Sequence, residues 1–459
     1  MYSMMREAAG VARSRMGLAR LSAPQTRVAE RNTAALSSLI TWAVDKSPFY
    51  RRLYVELGDP RTLALEQLPV VTKAMMMDHL DAFLTDPALD RAELERRVDL
   101  GRAIAPDGYR TIVTSGSTGL RGLFAFDQQE WNTMLASFWR WTDMVGMTPR
   151  PWRRRIAVIA APSPLHFSNN MASSISPYRM LYVHSGTAIP DVCRQLDAFQ
   201  PDFVLSYPSV CAQLAQEQVR GRLHIRPRRI ATSGELRTVR MEETIREAWG
   251  MRALDMYAMT EVGLVAGQCP EAGGLHHFND LSIIEVVDER NQPVEAGTAG
   301  AKILVTNLFL RTQPLIRYEV SDLLTMDARD CPCGRTWPLI GSVTGRMDDL
   351  LWFPDQSGRQ VQVHPLQLQS LILAQTGVAA YQICQERDRL LILVVPDRAV
   401  DLDALLVRLQ GQVLRKLDKL RILPQRVEVV AVDAIARQDG PGGKIKLVKS
   451  FRSGPEPDG

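Results

Sequence analysis

The chain has 459 residues, 46% apolar and 23% charged, which is enough apolar side chain for two or more packed units and excludes an intrinsically disordered polymer. With 55 basic and 51 acidic side chains, the net charge of +4 is too small an excess to call for a nucleic-acid partner. No apolar run reaches the roughly 18 residues of a membrane span, and six cysteines in a chain this long do not make a disulfide scaffold.

Residues 1–22 carry four arginines and one acidic residue, which fits an organelle transit peptide or, more simply, an amphipathic N-terminal helix. No secretory pattern follows, so a cytoplasmic protein is expected. Residues 33–56 have helical spacing and end in SPFYRRLY, and LPVVTK (68–73) reads as a short extended lead into another helix. GYRTIVTSGSTGLRG (108–122) is a β-branched run that breaks into a Ser/Thr/Gly loop. A helix over 127–145 carries Trp131, Phe138, Trp139 and Trp141. IAVIAAPS (156–163), FVLSYPS (203–209), RRIATSGE (228–235) and ALDMYAMTE (253–261) read as strands that end in polar loops, with helices at 191–199 and 239–249 between them.

Strands alternating with helices define an α/β domain, in which ligands bind at the carboxyl ends of the strands. From about residue 281 the segments LSIIEVVDE, AKILVTNL, IRYEVSDLLTM and LLWFPD predict a β-rich subdomain. Beyond Arg346 the strands of QVQVHP, AAYQICQE, RLLILVVP and VEVVAV, with a helix at 403–418, predict a small α+β unit. The expected division is therefore a large N-terminal α/β domain over 1–345 and a C-terminal α+β domain over 346–459. No internal repeat is present.

Two constellations carry chemistry. Thr114, Ser115, Gly116, Ser117, Thr118 and Gly119 follow a strand, and their hydroxyls and backbone N–H groups can cradle an anion. The loop is not a Walker loop, and a polar turn without ligand is the alternative. Cys269, His276, Cys331 and Cys333 form C-x6-H followed by C-x-C, a donor set suited to a tetrahedral structural Zn²⁺ site with no open position. His277 competes with His276, and three free thiols beside an unrelated histidine is the bland alternative. Cys193, Cys211 and Cys384 sit in apolar surroundings and read as core thiols.

Taken in order, TSGSTGLRG (114–122), YAMTEVG (257–263), RYEVSD (317–322), GRMDDLL (345–351) and GGKIKLVK (442–449) resemble the motif series of the adenylate-forming (acyl/aryl-CoA synthetase) superfamily. SPFYRRLY, LPVVTK, SYPSV and GLHHFNDLSIIEVVD are similar to its phenylacetate–CoA ligase branch, and the resemblance covers nearly the whole chain. The resemblance implies an enzyme that uses ATP and Mg²⁺ to activate a small, aromatic carboxylic acid as acyl-AMP and transfers it to CoA. It also implies a C-terminal lid that rotates on a hinge. The Thr114–Gly119 loop would hold phosphate. Thr260 and Glu261 would serve catalysis, with Glu261 as the Mg²⁺ ligand rather than an ordinary helix-start carboxylate. Gly234, Glu235, Asp255 and Tyr257 would line the adenine slot, and Asp322 would accept the ribose hydroxyls. Arg346 would reach the ribose or phosphates, and Asp348 would be the hinge. Lys444, freed by two preceding glycines, would be the catalytic lysine, with Lys446 and Lys449 as alternatives. His166, Phe167, Tyr207, Ala258 and Met259 would line the acid pocket. Some members of the branch carry a similar zinc cluster, matched here residue type for residue type.

The chain departs from the pattern after the hinge. CoA-using relatives have a Gly-rich segment there, whereas WFPDQSGRQVQVHP (352–365) has a single glycine, Gly358. Adenylation is therefore better founded than transfer to CoA, and an amine acceptor is the alternative. A nucleotide-binding protein without activity would be expected to have lost Glu261 or Lys444, and both are present. The expected partners are the acid, ATP and the acceptor, with no nucleic acid or membrane, in a monomer or homodimer.

Overall fold

The structure is a computed structural model describing residues 10–12, 14, 25–101, 103–104, 108–114, 122–148, 154–161, 165–174, 178–271, 273–346, 351–363, 365–373, 375, 377–396, 400–423, 425–436 and 447–450. The strands in chain order are β1 (Arg110–Val113), β2 (Leu123–Phe126), β3 (Arg155–Ala160), β4 (Arg179–His184), β5 (Phe203–Ser206), β6 (Arg229–Thr232) and β7 (Leu254–Met259). They continue with β8 (Gly263–Gln268), β9 (Leu275–His277), β10 (Ser282–Val287), β11 (Lys302–Asn307), β12 (Tyr318–Val320), β13 (Asp322–Asp327) and β14 (Leu339–Arg346). The last are β15 (Leu351–Pro354), β16 (Gln360–Val363), β17 (Val378–Gln385), β18 (Arg389–Pro396), β19 (Arg426–Ala431) and β20 (Val448–Lys449).

Among the described residues, nine strands form one sheet in the order β13-β14-β9-β8-β7-β6-β5-β3-β4. The β4-β3-β5-β6-β7 part is parallel, and from β7 to β13 the pairing is antiparallel. β5 is buried at every position and β3 at all but its first, as expected of strands covered on both faces. The β-rich region expected from about residue 281 is divided. β10, β11 and β12 make their own three-stranded sheet, whereas β13 and β14 extend the main sheet through β9. A run of strand-like segments cannot tell these outcomes apart, because register is set by tertiary pairing.

Helix Gln128–Met144 starts in a capping box. The Asp127 side chain accepts the Glu130 N–H, and the Glu130 carboxylate accepts the Asp127 N–H. It buries Trp131 and Trp141 completely against the sheet. Elements that the sequence pattern does not announce include strands β4, β8, β9 and β14 and helices Phe167–Ser173 and Pro208–Val219.

The C-terminal segment has a separate apolar core, running from Leu351 to Val448. There β19-β18-β17-β20 form a four-stranded sheet. Helix Leu402–Lys419 is capped by Asp401 and buries Leu405, Leu409, Val413 and Leu417, a stripe at four-residue spacing. Among the described residues, no helix is long and apolar enough to cross a membrane.

Candidate active site and metal centre

β3, β5, β6 and β7 run parallel, so their carboxyl ends open on one edge of the sheet. A cleft lies there, with about 590 Å³ of empty space, open solvent included. Strand residues Val158, Leu205 and Met256 line it together with Met171, Gly234 and Thr260. All five residues expected in an acid pocket, His166, Phe167, Tyr207, Ala258 and Met259, line the same cleft. Among the described residues, no Asp, Glu, Lys or Arg is part of this lining. His166 caps helix Phe167–Ser173, its Nδ1 accepting the Ser168 N–H at 3.3 Å. An accepting Nδ1 leaves Nε2 as the protonated nitrogen of the neutral ring.

Next to the cleft, Thr114 closes the two ends of the Ser/Thr/Gly loop. Its N–H donates to the Gly122 carbonyl at 3.1 Å, and its hydroxyl accepts the Gly122 N–H at 3.0 Å. Ser115, Gly116, Ser117, Thr118 and Gly119 lie outside the described residues. Lys73 Nζ donates to the same Thr114 hydroxyl at 3.0 Å. A side chain at Gly122 would press its Cβ to 2.9 Å from Lys73 Cε, so glycine permits this approach. Sequence reasoning noted LPVVTK and gave Lys73 no role. The convergence depends on Val71 bridging to Tyr318 in β12, a pairing no local pattern reveals.

The adenine-slot residues are held by named bonds. Gly234 has φ +82°, a backbone conformation favouring glycine. Glu235 turns its carboxylate to the start of helix Pro208–Val219, where it accepts the Ser209 N–H at 3.1 Å. Asp255 accepts the Thr232 hydroxyl at 2.8 Å and pairs with Arg237 at 3.0 Å. Tyr257 donates its hydroxyl to Asp322 at 2.6 Å, joining two buried residues 65 positions apart. Asp322 is also the cross-strand partner of Arg346 at the end of β14. Thr260 and Glu261 sit in the turn between β7 and β8, so Glu261 is not a helix-start carboxylate. Burial, and after it the Glu261 charge, pushes the Tyr318 phenol well above its ordinary pKa, which puts Glu261 in that neighbourhood. The Arg346 side chain, Asp348, Lys444 and Lys446 lie outside the described residues.

At the far end of β8 the structure brings Cys269, His276, Cys331 and Cys333 together, one donor atom from each within 4.8 Å of the others. Cys269 Sγ and Cys331 Sγ are 3.7 Å apart, and Cys333 Sγ lies 3.4 Å from His276 Nε2. A tetrahedral ion with metal–sulfur bonds of about 2.3 Å and metal–nitrogen bonds of about 2.0 Å needs separations of about 3.8 and about 3.5 Å. The donor set therefore fits a metal, and the sulfurs are too far apart for a disulfide. Burial lowers the His276 pKa to about 4, which keeps the ring neutral as a ligand must be. His277 is not part of the cluster and pairs its Nε2 with the Ser282 hydroxyl at 3.1 Å. Cys193 and Cys211 are buried, and Cys384 is half-buried in the C-terminal sheet.

No family model matches the chain. It is 24% identical to phenylacetate–coenzyme A ligase of Thermus thermophilus over 467 residues, which cover 94% of this chain and 98% of that protein. It is 32% identical to phenylacetate–coenzyme A ligase of Escherichia coli over 183 residues, covering 38% of this chain and 40% of the relative. The fold is similar to that of 2-hydroxyisobutyryl-CoA ligase in the postadenylation state in complex with 2-HIB-AMP. That match has a TM-score of 0.72 at 21% identity and covers 92% of this chain and 89% of the other. It is also similar to the amide bond synthetase McbA of Marinactinospora thermotolerans, with a TM-score of 0.53 at 18% identity over 74% and 68% of the two chains. The fold is thus that of the adenylate-forming enzymes. In sequence, the chain is a distant homologue of phenylacetate–coenzyme A ligase.

Proposed function

We propose that this protein is an ATP-dependent ligase that activates a small carboxylic acid with an uncharged, apolar or aromatic body as its acyl-AMP, and then transfers the acyl group to CoA. The observation that carries the reading is the cleft at the strand ends, whose described lining has no Asp, Glu, Lys or Arg and where Gly234 and Thr260 sit with Phe167 and Tyr207. Such a lining solvates a hydrocarbon or aryl group and disfavours a second charge.

In the proposed reaction a carboxylate oxygen of the acid attacks the α-phosphorus of ATP, and pyrophosphate leaves with the electron pair of the broken P–O bond. Positioning and charge neutralisation supply most of the rate. Thr114 to Gly119 hold the phosphates, and Lys73 adds a cation at the base of their loop. Tyr257 and Gly234 flank adenine with Asp255 beside them, while Glu235 holds the slot in shape through Ser209. Asp322 accepts the ribose hydroxyls, already oriented by Tyr257. Glu261 holds Mg²⁺, which when bound neutralises phosphate charge. Lys444 stabilises the charge that develops on the reacting phosphate, and Arg346 contacts the ribose or phosphates. The lid spans 346–459 and turns on Asp348, a division supported by the separate apolar core of the C-terminal segment. Cys269, His276, Cys331 and Cys333 bind a structural zinc ion with all four positions filled.

One observation favours a second acceptor. The stretch after the hinge is a tight β15–β16 hairpin, whose turn is closed by Asp355 accepting the Ser357 and Arg359 N–H groups. It carries a single glycine, Gly358, in place of the Gly-rich segment of CoA-using relatives, and an amine acceptor needs no such segment. The deciding experiment incubates the protein with ATP, Mg²⁺ and a panel of aryl and aliphatic acids, and follows acyl-adenylate by mass spectrometry. CoA or a set of amines is then added. A thioester supports the first reading and an amide the second. No acyl-adenylate with any acid would refute both.

A further inference from the structure

Around the cysteine–histidine cluster lies a second layer of side chains that no local sequence pattern marks. The Trp337 ring meets His276 edge to face, with centroids 6.1 Å apart and planes at 71°. It meets Phe278 in the same way at 5.3 Å and 74°. The Arg140 guanidinium lies over both aromatic rings, 4.4 Å from Phe278 and 5.1 Å from Trp337. Its two terminal nitrogens grip Asp280 at 2.6 and 3.1 Å, a pair in which both side chains are buried.

Arg140 belongs to helix Gln128–Met144, which follows β8 from the cluster toward the Glu261 turn. The neighbouring Trp141 donates its indole N–H to the carbonyl of Gln268, one residue before Cys269. Its ring fills the space where a Cβ of Gly267 would come within 2.3 Å. Two turns earlier, about 10 Å along the helix axis, Met134 packs on Gly263. A Cβ on that glycine would meet Met134 at 3.0 Å. Gly263 has φ +80° and stands two residues after Glu261. One rigid helix therefore braces both ends of the strand that joins the cluster to the turn.

We propose that Trp337 and Arg140 are positioning residues of the metal centre: they fix the His276 ring and, through helix Gln128–Met144, set the placement of the turn carrying Thr260 and Glu261. The inference rests on the reading that the four ligands bind zinc. An imidazole caged on its edge loses little freedom when it binds an ion, so removing the caging ring weakens metal binding; the scale known for hydrogen-bonded outer partners of ligating histidines is about 10–100-fold. Arg140 contributes by holding Trp337 and Phe278 in the geometry that cages the ring.

The test uses the full-length zinc-loaded protein and its W337A, W337F and R140K variants. Zinc release to a chromogenic chelator is timed, and KM for ATP and kcat are measured by pyrophosphate exchange. W337A should release zinc about 10–100-fold faster, with KM for ATP raised and kcat little changed. W337F, which keeps an edge-to-face ring, should stay within about threefold of the parent. R140K keeps the charge, loses the planar two-bond grip on Asp280, and should release zinc several-fold faster. It carries the test if W337A does not fold. Wild type holding one zinc, with W337A or R140K releasing it at the parental rate, would overturn the inference and leave the zinc reading intact. Wild type that binds no zinc would overturn both.

Discussion

At the carboxyl ends of β3, β5, β6 and β7, the candidate active site is assembled from loop residues and helix starts. At the Cys269 end of β8, the candidate metal centre is assembled from four side chains whose chemistry allows few other uses. Among the described residues, single hydrogen bonds such as Tyr257 to Asp322, Lys73 to Thr114 and Glu235 to Ser209 join parts of the first region. The second is packed, with Cys269 and His276 fully buried and His276 against the Trp337 ring. The contrast suits their proposed tasks. A site that binds, reacts and releases needs groups that can exchange partners, whereas a structural ion needs ligands that cannot.

The largest effect that would sharpen this contrast lies on the active-site side. Lys444→Ala should lower acyl-AMP formation by at least about 10²–10³-fold, while ATP binding, followed by calorimetry, survives. Unchanged adenylation would remove Lys444 from its role. On the metal side, Cys331→Ser should bring zinc content, read by atomic absorption, down to background and lower the thermal midpoint. Metal loss without any change in stability would mean that the ion is not structural. Next in size, Tyr257→Phe leaves the Asp322 carboxylate without its phenol partner. A hydrogen bond to a charged group is worth about 1.5–3 kcal/mol, so KM for ATP should rise by roughly tenfold or more.

How far these two regions could be read from the sequence follows from how each is made. The four side chains of the candidate metal centre were legible because Cys and His in turn-rich stretches have a narrow range of roles. Tyr257 and Asp322 were legible as separate motifs, but their bond was not, since it joins residues in strands far apart in the chain. Lys73 carried no local mark, and its place depends on Val71 pairing with Tyr318. Helix Phe167–Ser173 was missed because its Ser and Asn residues compete with the backbone for hydrogen bonds and read as loop. The His166 cap that starts it is a side-chain arrangement the pattern does not encode. Arg140 stood in a tryptophan-rich helix and was passed over for the aromatics around it. The β13 segment was legible as a strand and β14 was not, and the membership of both in the main sheet rests on pairing with β9 and with each other.

Two smaller effects probe the join between the regions. Gly267→Ala should push Trp141 off the Gln268 carbonyl and cost about 1–3 kcal/mol by overpacking, seen as a lower urea midpoint. A stability equal to the parent would mean that helix Gln128–Met144 does not brace β8 as described. Phe167→Leu keeps the cleft apolar and should change relative rates among aryl acids by up to about tenfold, the lower end of the 1–3 kcal/mol scale of a methylene-sized change. An unaltered acid profile would place the aryl group elsewhere.

The central claim is that the uncharged cleft binds an acid for adenylation. The most direct measurement is ATP–pyrophosphate exchange by the full-length, zinc-loaded protein without any acceptor, across apolar monocarboxylic acids, aryl acids and dicarboxylic acids of matched size. The account predicts exchange with one or more apolar or aryl acids and little with the dicarboxylates. Exchange confined to the dicarboxylates, or no exchange with any acid, would contradict it.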